Sequence, residues 1–153
     1  MATYSVRGLT VATAASADQA ITKLWTPDST KALIVYELGL FKTTGGTAGD
    51  SLYVVRTTAR GTSAANSTPD GDNTWLNDGE VPPSGAIMDT DFSAEPTKAS
   101  PGMFGWVAAA VAATGFVWPT PRGITVRAGS GLCMISRAAT IWPVSEAYFV
   151  WEE

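Results

Sequence analysis

The chain of 153 residues contains no histidine and a single cysteine. The absence of histidine excludes Ser-His-Asp and Cys-His nucleophiles, imidazole zinc sites and the most common general base. Cys133 has no partner for an internal disulfide and lies in an apolar run, so we expect it to pack as a small buried hydrophobe. A secreted disulfide scaffold is therefore excluded.

Charge is also scarce. Charged residues make up 16% of the sequence and the net charge is −4, whereas soluble domains typically contain roughly 25% charged residues. The arginines are scattered along the chain and form no stripe that could neutralise a phosphate backbone. We therefore expect no nucleic-acid partner.

Long hydrophobic runs are missing as well. The most apolar stretch, Met103–Trp118, has 16 residues and is broken by Gly105 and Gly115, whereas a membrane helix needs about 20. The N-terminal sequence MATYSVRGLTVATAAS has neither a basic head nor an unbroken apolar stretch. We therefore expect no membrane span, no signal peptide and no Sec export.

Apolar and aromatic residues are plentiful. Apolar residues reach 45% and aromatic residues 10%, enough for one domain over residues 1–153 with a real core. Short apolar runs alternate with turn residues, which predicts an all-β, antiparallel β-sandwich of about eight strands. The predicted strands include Tyr4–Val11, Ala32–Phe41, Leu52–Thr58, Phe104–Val117, Ile124–Arg127, Leu132–Arg137 and Val144–Trp151.

The turns between these runs suggest which strands pair. The Gly-rich sequence TTGGTAGD predicts a hairpin between Ala32–Phe41 and Leu52–Thr58. Residues 16–25 match a helix capping box, but the turn sequence Thr26-Pro27-Asp28-Ser29 follows directly, and we favour a hairpin from Ala20 to Phe41 over a short helix. The alanine run 108–113 has helical propensity, yet we expect it to continue a strand.

Residues 62–102 differ from the rest of the chain. They contain seven carboxylates, one lysine and five of the nine prolines, so their net charge is −6 and the remainder of the chain carries +2. We interpret this segment as one long acidic loop, either a surface excursion that binds a partner or a set of short strands.

The Gly-rich sequence RGITVRAGSGLCMISR, residues 122–137, raises the question of a phosphate cradle. A nucleotide-binding glycine loop leads into a helix, whereas this one leads into an apolar strand-like run. We therefore predict a strand, a turn over Ala128–Ser130 and a second strand. Gly129 and Gly131 would supply positive φ angles or a bulge.

Carboxylates offer the remaining catalytic or metal-binding possibilities. The sequence PDGDNTWLNDGE could supply oxygen ligands to Ca²⁺ from Asp70, Asp72, Asp78 and Glu80, but it departs from the EF-hand pattern, and we favour a solvated acidic turn without metal or cofactor. Asp89 and Asp91 would lie about 6.6 Å apart on one strand face, a spacing a glycan-cleaving hydrolase could use. We rank this hydrolase hypothesis last.

The six tryptophans allow a further reading. Exposed Trp rings could form a sugar-stacking platform on a β-sandwich, although core packing and subunit contact explain them equally well. Trp75 lies within the polar acidic segment, so we expect it to be the exposed tryptophan that contacts a partner.

Three stretches of the sequence carry a family resemblance: LWTPDSTKALIVYELGLF, RTTARGT and the closing GITVRAGSGLCMISRAATIWPVSEAYFVWEE. Together they resemble small jelly-roll-like virion structural proteins of tailed phages, including capsid decoration or cement proteins. Arg56 and Arg60 match the R-x-x-x-R-G-T pattern of these proteins, and Ala128 replaces the proline that they favour before Gly129.

The resemblance implies a non-enzymatic, jelly-roll-like protein located in the virion after synthesis in the host cytoplasm. Its expected partners are the major capsid protein or other virion proteins and further copies of itself, as a trimer or another homo-oligomer. Arg56, Arg60 and Trp75 are our candidate contact residues. The alternative is a carbohydrate-binding β-sandwich module of a phage tail or host-recognition appendage.

Overall fold

The computed structural model describes residues 3–27, 31–46, 49–67, 74–75, 85–99 and 101–153, with the backbone alone at 66–67 and 74–75. This part of the chain is all β and contains no helix. Its strands are β1 (Thr3–Leu9), β2 (Gln19–Thr26), β3 (Leu33–Lys42), β4 (Asp50–Thr57), β5 (Thr62–Ser67), β6 (Thr74–Trp75), β7 (Ile87–Ala94), β8 (Phe104–Ala108), β9 (Gly115–Val126), β10 (Ser130–Ser136) and β11 (Ser145–Glu152).

The strands form two antiparallel sheets. Sheet A has the order β6-β1-β11-β3-β9, and sheet B has the order β5-β7-β2-β10-β4-β8. The predicted antiparallel β-sandwich is therefore confirmed. The structure describes eleven strands instead of about eight, because three of them come from the acidic segment.

Without β5, β6 and β7, the strand order is that of a jelly roll. If the eight remaining strands are numbered one to eight along the chain, neighbouring strands follow the order 1-8-3-6 in sheet A and 2-7-4-5 in sheet B. This order is the double-sheet arrangement of two Greek keys. The jelly-roll-like prediction is thus confirmed in its connectivity.

The core lies between the two sheets. Inward-facing side chains of both sheets, such as Val35 and Phe149 from sheet A and Leu24 and Leu132 from sheet B, form one cluster of buried residues. In β11 the buried residues Ala147, Phe149 and Trp151 alternate with half-buried ones, as the period of two in its sequence predicts.

Both predicted hairpins are wrong. Ala32–Phe41 and Leu52–Thr58 correspond to β3 and β4, but these strands lie in different sheets. The strand β2 exists in place of a short helix, yet it pairs with β7 and β10 and not with β3. The reason is the jelly-roll connectivity, in which the chain passes from one sheet to the other between β2 and β3 and again between β3 and β4.

Residues 62–102 are not one long loop. The described part of this segment contributes β5, β6 and β7, which extend both sheets on the same side of the sandwich: β5 and β7 beside β2, and β6 beside β1. Among the two alternatives for this segment, the set of short strands is the one that the described residues show.

Two local predictions in the last third also need correction. The alanine run does not continue a strand, because β8 ends at Ala108 and residues 109–114 form a loop. Gly129 has a positive φ of 66°, as predicted, whereas Gly131 does not have a positive φ. The glycine turn does connect two strands, but β9 and β10 belong to different sheets.

The fold predicts a clear difference between core and surface leucines. Replacing the fully buried Leu24 with alanine should lower the free energy of unfolding by about 2–5 kcal/mol, because the substitution leaves a cavity between the sheets. Leu9→Ala, at an exposed position of β1, should change it by less than about 0.5 kcal/mol. Urea unfolding followed by tryptophan fluorescence measures both; equal effects of the two substitutions would contradict the described core.

Candidate functional site

The chain crosses the outer face of sheet B twice, once before β5 and once after β7. The chain leaves β4 near one edge of this sheet, crosses in residues 58–61 to reach β5 at the other edge, and returns from β7 to β8 through residues 95–103. The two passages are hydrogen-bonded to each other and to β4: the Thr58 amide donates to the Thr97 carbonyl at 2.9 Å, and the Ala99 amide donates to the Arg56 carbonyl at 2.8 Å. We call residues 58–61 and 95–99 the crossover.

Beneath the crossover lies a buried charge cluster. Lys23 of β2 faces Asp89 of β7 in the strand register, both side chains are fully buried, and their Nζ and Oδ2 atoms are 3.4 Å apart. Arg60 of the crossover donates from Nη2 to Asp89 Oδ1 at 2.6 Å and from Nε to Oδ2 at 3.0 Å. Lys23 also donates to the carbonyl of Arg60, so the two cations and the carboxylate fasten the crossover to the sheet.

The surroundings of this charge cluster shift two pKa values in opposite directions. Burial lowers the pKa of Lys23, and the nearby Asp89 carboxylate opposes that shift without cancelling it. Hydrogen bonds to Asp89 raise the pKa of Arg60. The Lys23 ammonium also lies 4.9 Å from the centre of the Trp25 ring, which adds a cation–π contact.

A second apolar cluster fills the rest of the space under the crossover. Ala20, Val55, Cys133 and Ile135 are buried there, on the face of sheet B that points away from the main core. Burial raises the pKa of the Cys133 thiol to about 12. Cys133 is thus a buried small hydrophobe, as the sequence predicts, and sheet B is covered on both faces.

The two carboxylates of the predicted pair lie in different environments. Asp89 is fully buried and bound by two cations, so no substrate can reach it in this arrangement. Asp91 is half-buried, has a positive φ of 56°, and lines a small cavity of about 70 Å³ together with Glu95. The side chain of Asp89 therefore serves to hold the crossover in place.

Several predicted positions fall outside the described residues. These are the calcium candidates Asp70, Asp72, Asp78 and Glu80. Trp75 lies in β6 and pairs with Tyr4 of β1, but only its backbone is described. In the part of the chain that the structure does describe, no group of three or more potential ligands could hold a metal ion.

Arg56 and Arg60, the predicted contact residues, lie in different environments. Arg60 belongs to the buried charge cluster. Arg56 donates from Nη1 to the carbonyl oxygen of Thr125 at 2.5 Å, which links β4 to β9 across the end of the sandwich. It lines a half-open groove of about 580 Å³ together with Arg127, Thr57, Thr58, Thr125 and Ser130, and among the described residues no carboxylate lines this groove.

The tryptophans with described side chains are mostly core residues. Trp142 and Trp151 are fully buried, and Trp25, Trp106 and Trp118 are half-buried. Trp118 stacks on Phe104, with ring centres 4.4 Å apart. Trp106 lies at a tilt against Trp118, with ring centres 5.6 Å apart, and also contacts Phe116. This aromatic group closes the sandwich between β8 and β9.

Outside this aromatic group the side of the sandwich formed by β8 and β9 is open. We define the open edge as β8, β9 and the loop 109–114 that joins them. Its exposed apolar residues include Val107, Val111 and Val117, with 78%, 59% and 47% of their surface exposed. Sequence reasoning missed this surface, although residues 99–121 contain no charged side chain. Within the described residues, no helix is both long and apolar enough to span a membrane.

The buried charge cluster predicts a large loss of stability when its carboxylate is removed. Asp89→Asn should lower the free energy of unfolding by about 3–5 kcal/mol, because it leaves Lys23 buried without a counter-charge. Asp91→Asn, two residues away and half-buried, is the matched control and should have a small effect. Chemical unfolding tests both; a mild effect of Asp89→Asn would show that the cluster does not fasten the crossover.

The covered outer face of sheet B predicts an unreactive thiol. Cys133 should not react with a thiol reagent such as dithionitrobenzoate under native conditions, because it is fully buried with a raised pKa. It should react at once in denaturant. In the Asp89→Asn variant the native thiol should become reactive as the crossover opens. Rapid labelling of the folded wild-type chain would contradict the covering of this face.

Comparison of the chain with known protein families, with curated protein sequences and with solved structures gives no significant match. The fold and the geometry of these surfaces therefore carry the functional argument.

Proposed function

We propose that this chain is a non-enzymatic structural protein of a phage virion, most specifically a capsid decoration or cement protein that stabilises the shell by surface contacts. The observation that carries the proposal is the jelly-roll strand order, because viral capsid domains use this double-sheet architecture. The same architecture is the one implied by the sequence resemblance to virion proteins of tailed phages. Its partners are the major capsid protein and further copies of the chain, in a trimer or another homo-oligomer.

The distribution of charged groups supports a role in contact. In the charge cluster described above, Lys23 and Asp89 are fully buried under the crossover, and Arg60 fastens the crossover to Asp89. The surface offers instead an apolar open edge and a groove that carries Arg56 and Arg127. Surfaces with exposed apolar residues and arginine are typical of protein–protein interfaces.

Jelly rolls also occur in lectins, so the test includes carbohydrate binding. Capsids of the source phage, prepared without this protein, should bind the added chain in co-sedimentation and should then resist heat or urea better. A glycan array should show no binding. Glycan binding without capsid binding would overturn the proposal in favour of a carbohydrate-binding module of a tail or appendage.

The arginine groove gives a variant pair for the same assay. Arg127→Glu should weaken capsid binding, because it reverses the charge of one of the two arginines that line the groove among the described residues. Arg122→Glu, at an exposed position of β9 outside this groove, is the matched control and should bind like the wild type. Equal loss in both variants would indicate a general effect of net charge and not a contact at the groove.

A further inference from the structure

We propose that copies of this chain associate with one another through the open edge, the surface formed by β8, β9 and the loop 109–114. The inference rests on the proposed function in that it names the surface by which an assembling virion protein would meet its own copies. Its basis is the strand edges, the exposed side chains and the distribution of charge in this structure.

The two sides of the sandwich differ in their sheet edges. On one side of the sandwich the acidic segment adds β5 and β7 to sheet B and β6 to sheet A. On the other side β8 and β9 have no strand neighbour on their outer flank among the described residues. Unpaired backbone amides and carbonyls along such strands are ready to pair with another chain.

Prolines limit where backbone pairing can occur along this edge. Pro119 and Pro121 lie in the middle of β9, where they remove amide donors and so block continuous pairing. The first four residues of β9, 115–118, and all of β8 contain no proline. Backbone pairing is therefore directed to these two stretches.

Apolar side chains lie beside these two stretches. Phe104 and Trp106 of β8, and Phe116 and Trp118 of β9, pack against the core. Because side chains alternate along a strand, Val107 and Val117 face outward from the two sheets. Both are exposed, and they flank the aromatic group on either side. The open edge is thus apolar on both of its outer flanks.

The lack of charge at the open edge favours a second copy of the chain as the partner that covers it. A symmetric contact brings a surface against itself or a neighbouring patch of an identical chain, so like charges there would repel. Residues 99–121 contain no charged residue, while β5, β6 and β7, the described strands of the acidic segment, lie on the opposite side of the sandwich. Copies that meet at the open edge therefore bring no like charges of these residues together.

Hydrogen bonds hold the loop of the open edge in place. The loop 109–114 is held by Lys42, whose amide donates to the Thr114 carbonyl at 2.9 Å and whose Nζ donates to the Ala109 carbonyl at 2.5 Å. The ammonium group also lies 4.3 Å from the centre of the Trp142 ring. Val111 is therefore presented on a fixed loop, which reduces the ordering cost of association.

Analytical ultracentrifugation of the purified chain across micromolar concentrations tests this inference. The wild type should form a defined oligomer. Val107→Asp should raise the apparent dissociation constant at least about tenfold, because each copy brings a like charge into a desolvated contact. Val111→Asp, on the fixed loop, should act in the same direction. Both residues are exposed, so the thermal unfolding of each diluted variant should match that of the wild-type monomer.

The matched control is Leu9→Asp, which introduces the same charge at an exposed leucine of β1, on the opposite side of the sandwich. This variant should associate like the wild type. A wild-type oligomer that survives both Val107→Asp and Val111→Asp would overturn the open edge as the interface and leave the virion role standing. A wild-type chain that stays monomeric would overturn self-association itself, whereas capsid co-sedimentation decides the virion role separately.

Discussion

Strand edges are the constraint on which this structure depends, because every antiparallel sheet ends in backbone groups that must be paired, blunted or covered. Two sheets give this sandwich four such edges. The acidic segment supplies the outermost strands on one side, β5 and β6, and prolines interrupt pairing in the middle of β9 on the other. What remains is β8 and the beginning of β9, and the exposed valines lie beside these same strands. The self-association that we propose rests on this asymmetry between the two sides.

The crossover also changes the surroundings of sheet B. In a simple two-layer sandwich the outer face of each sheet contacts water, but here the crossover lies on that face and buries a second apolar cluster. The crossover brings polar backbone groups close to buried residues, where they need hydrogen-bond partners. Lys23 donates to the backbone carbonyl of Arg60, and Asp89 binds the side chains of both cations. These three residues thereby join three separated parts of the chain.

The sequence predicted strands well and their partners poorly. The period of two in β11 and the apolar run of β3 are visible in the residues themselves, because burial on one or both faces selects them. The jelly roll places sequence neighbours such as β2 and β3 in different sheets, so turn residues such as Pro27 suggested hairpins that do not form. The polar sequence of β5, TSAANS, carries no apolar alternation, and its edge position explains why it needs none.

The site followed the same pattern. A lysine inside the apolar run of β2 was visible in the sequence, but its partner Asp89 lies 66 residues away in the chain and became apparent only through the register of β2 and β7. Arg60 was selected for its motif, and its motif could not reveal that its side chain reaches Asp89. The open edge did leave a signal, since residues 99–121 carry no charge; its meaning required knowing that these residues form the two outermost strands on one side.

Hydrogen–deuterium exchange measured at several protein concentrations tests the central claim most directly, because it reports on backbone amides along each edge. The account predicts that amides within residues 104–118 become more protected as concentration rises, while those of β5 at the opposite edge exchange at a constant rate. Protection that does not depend on concentration along β8 and the start of β9, or that increases at β5 instead, would contradict it.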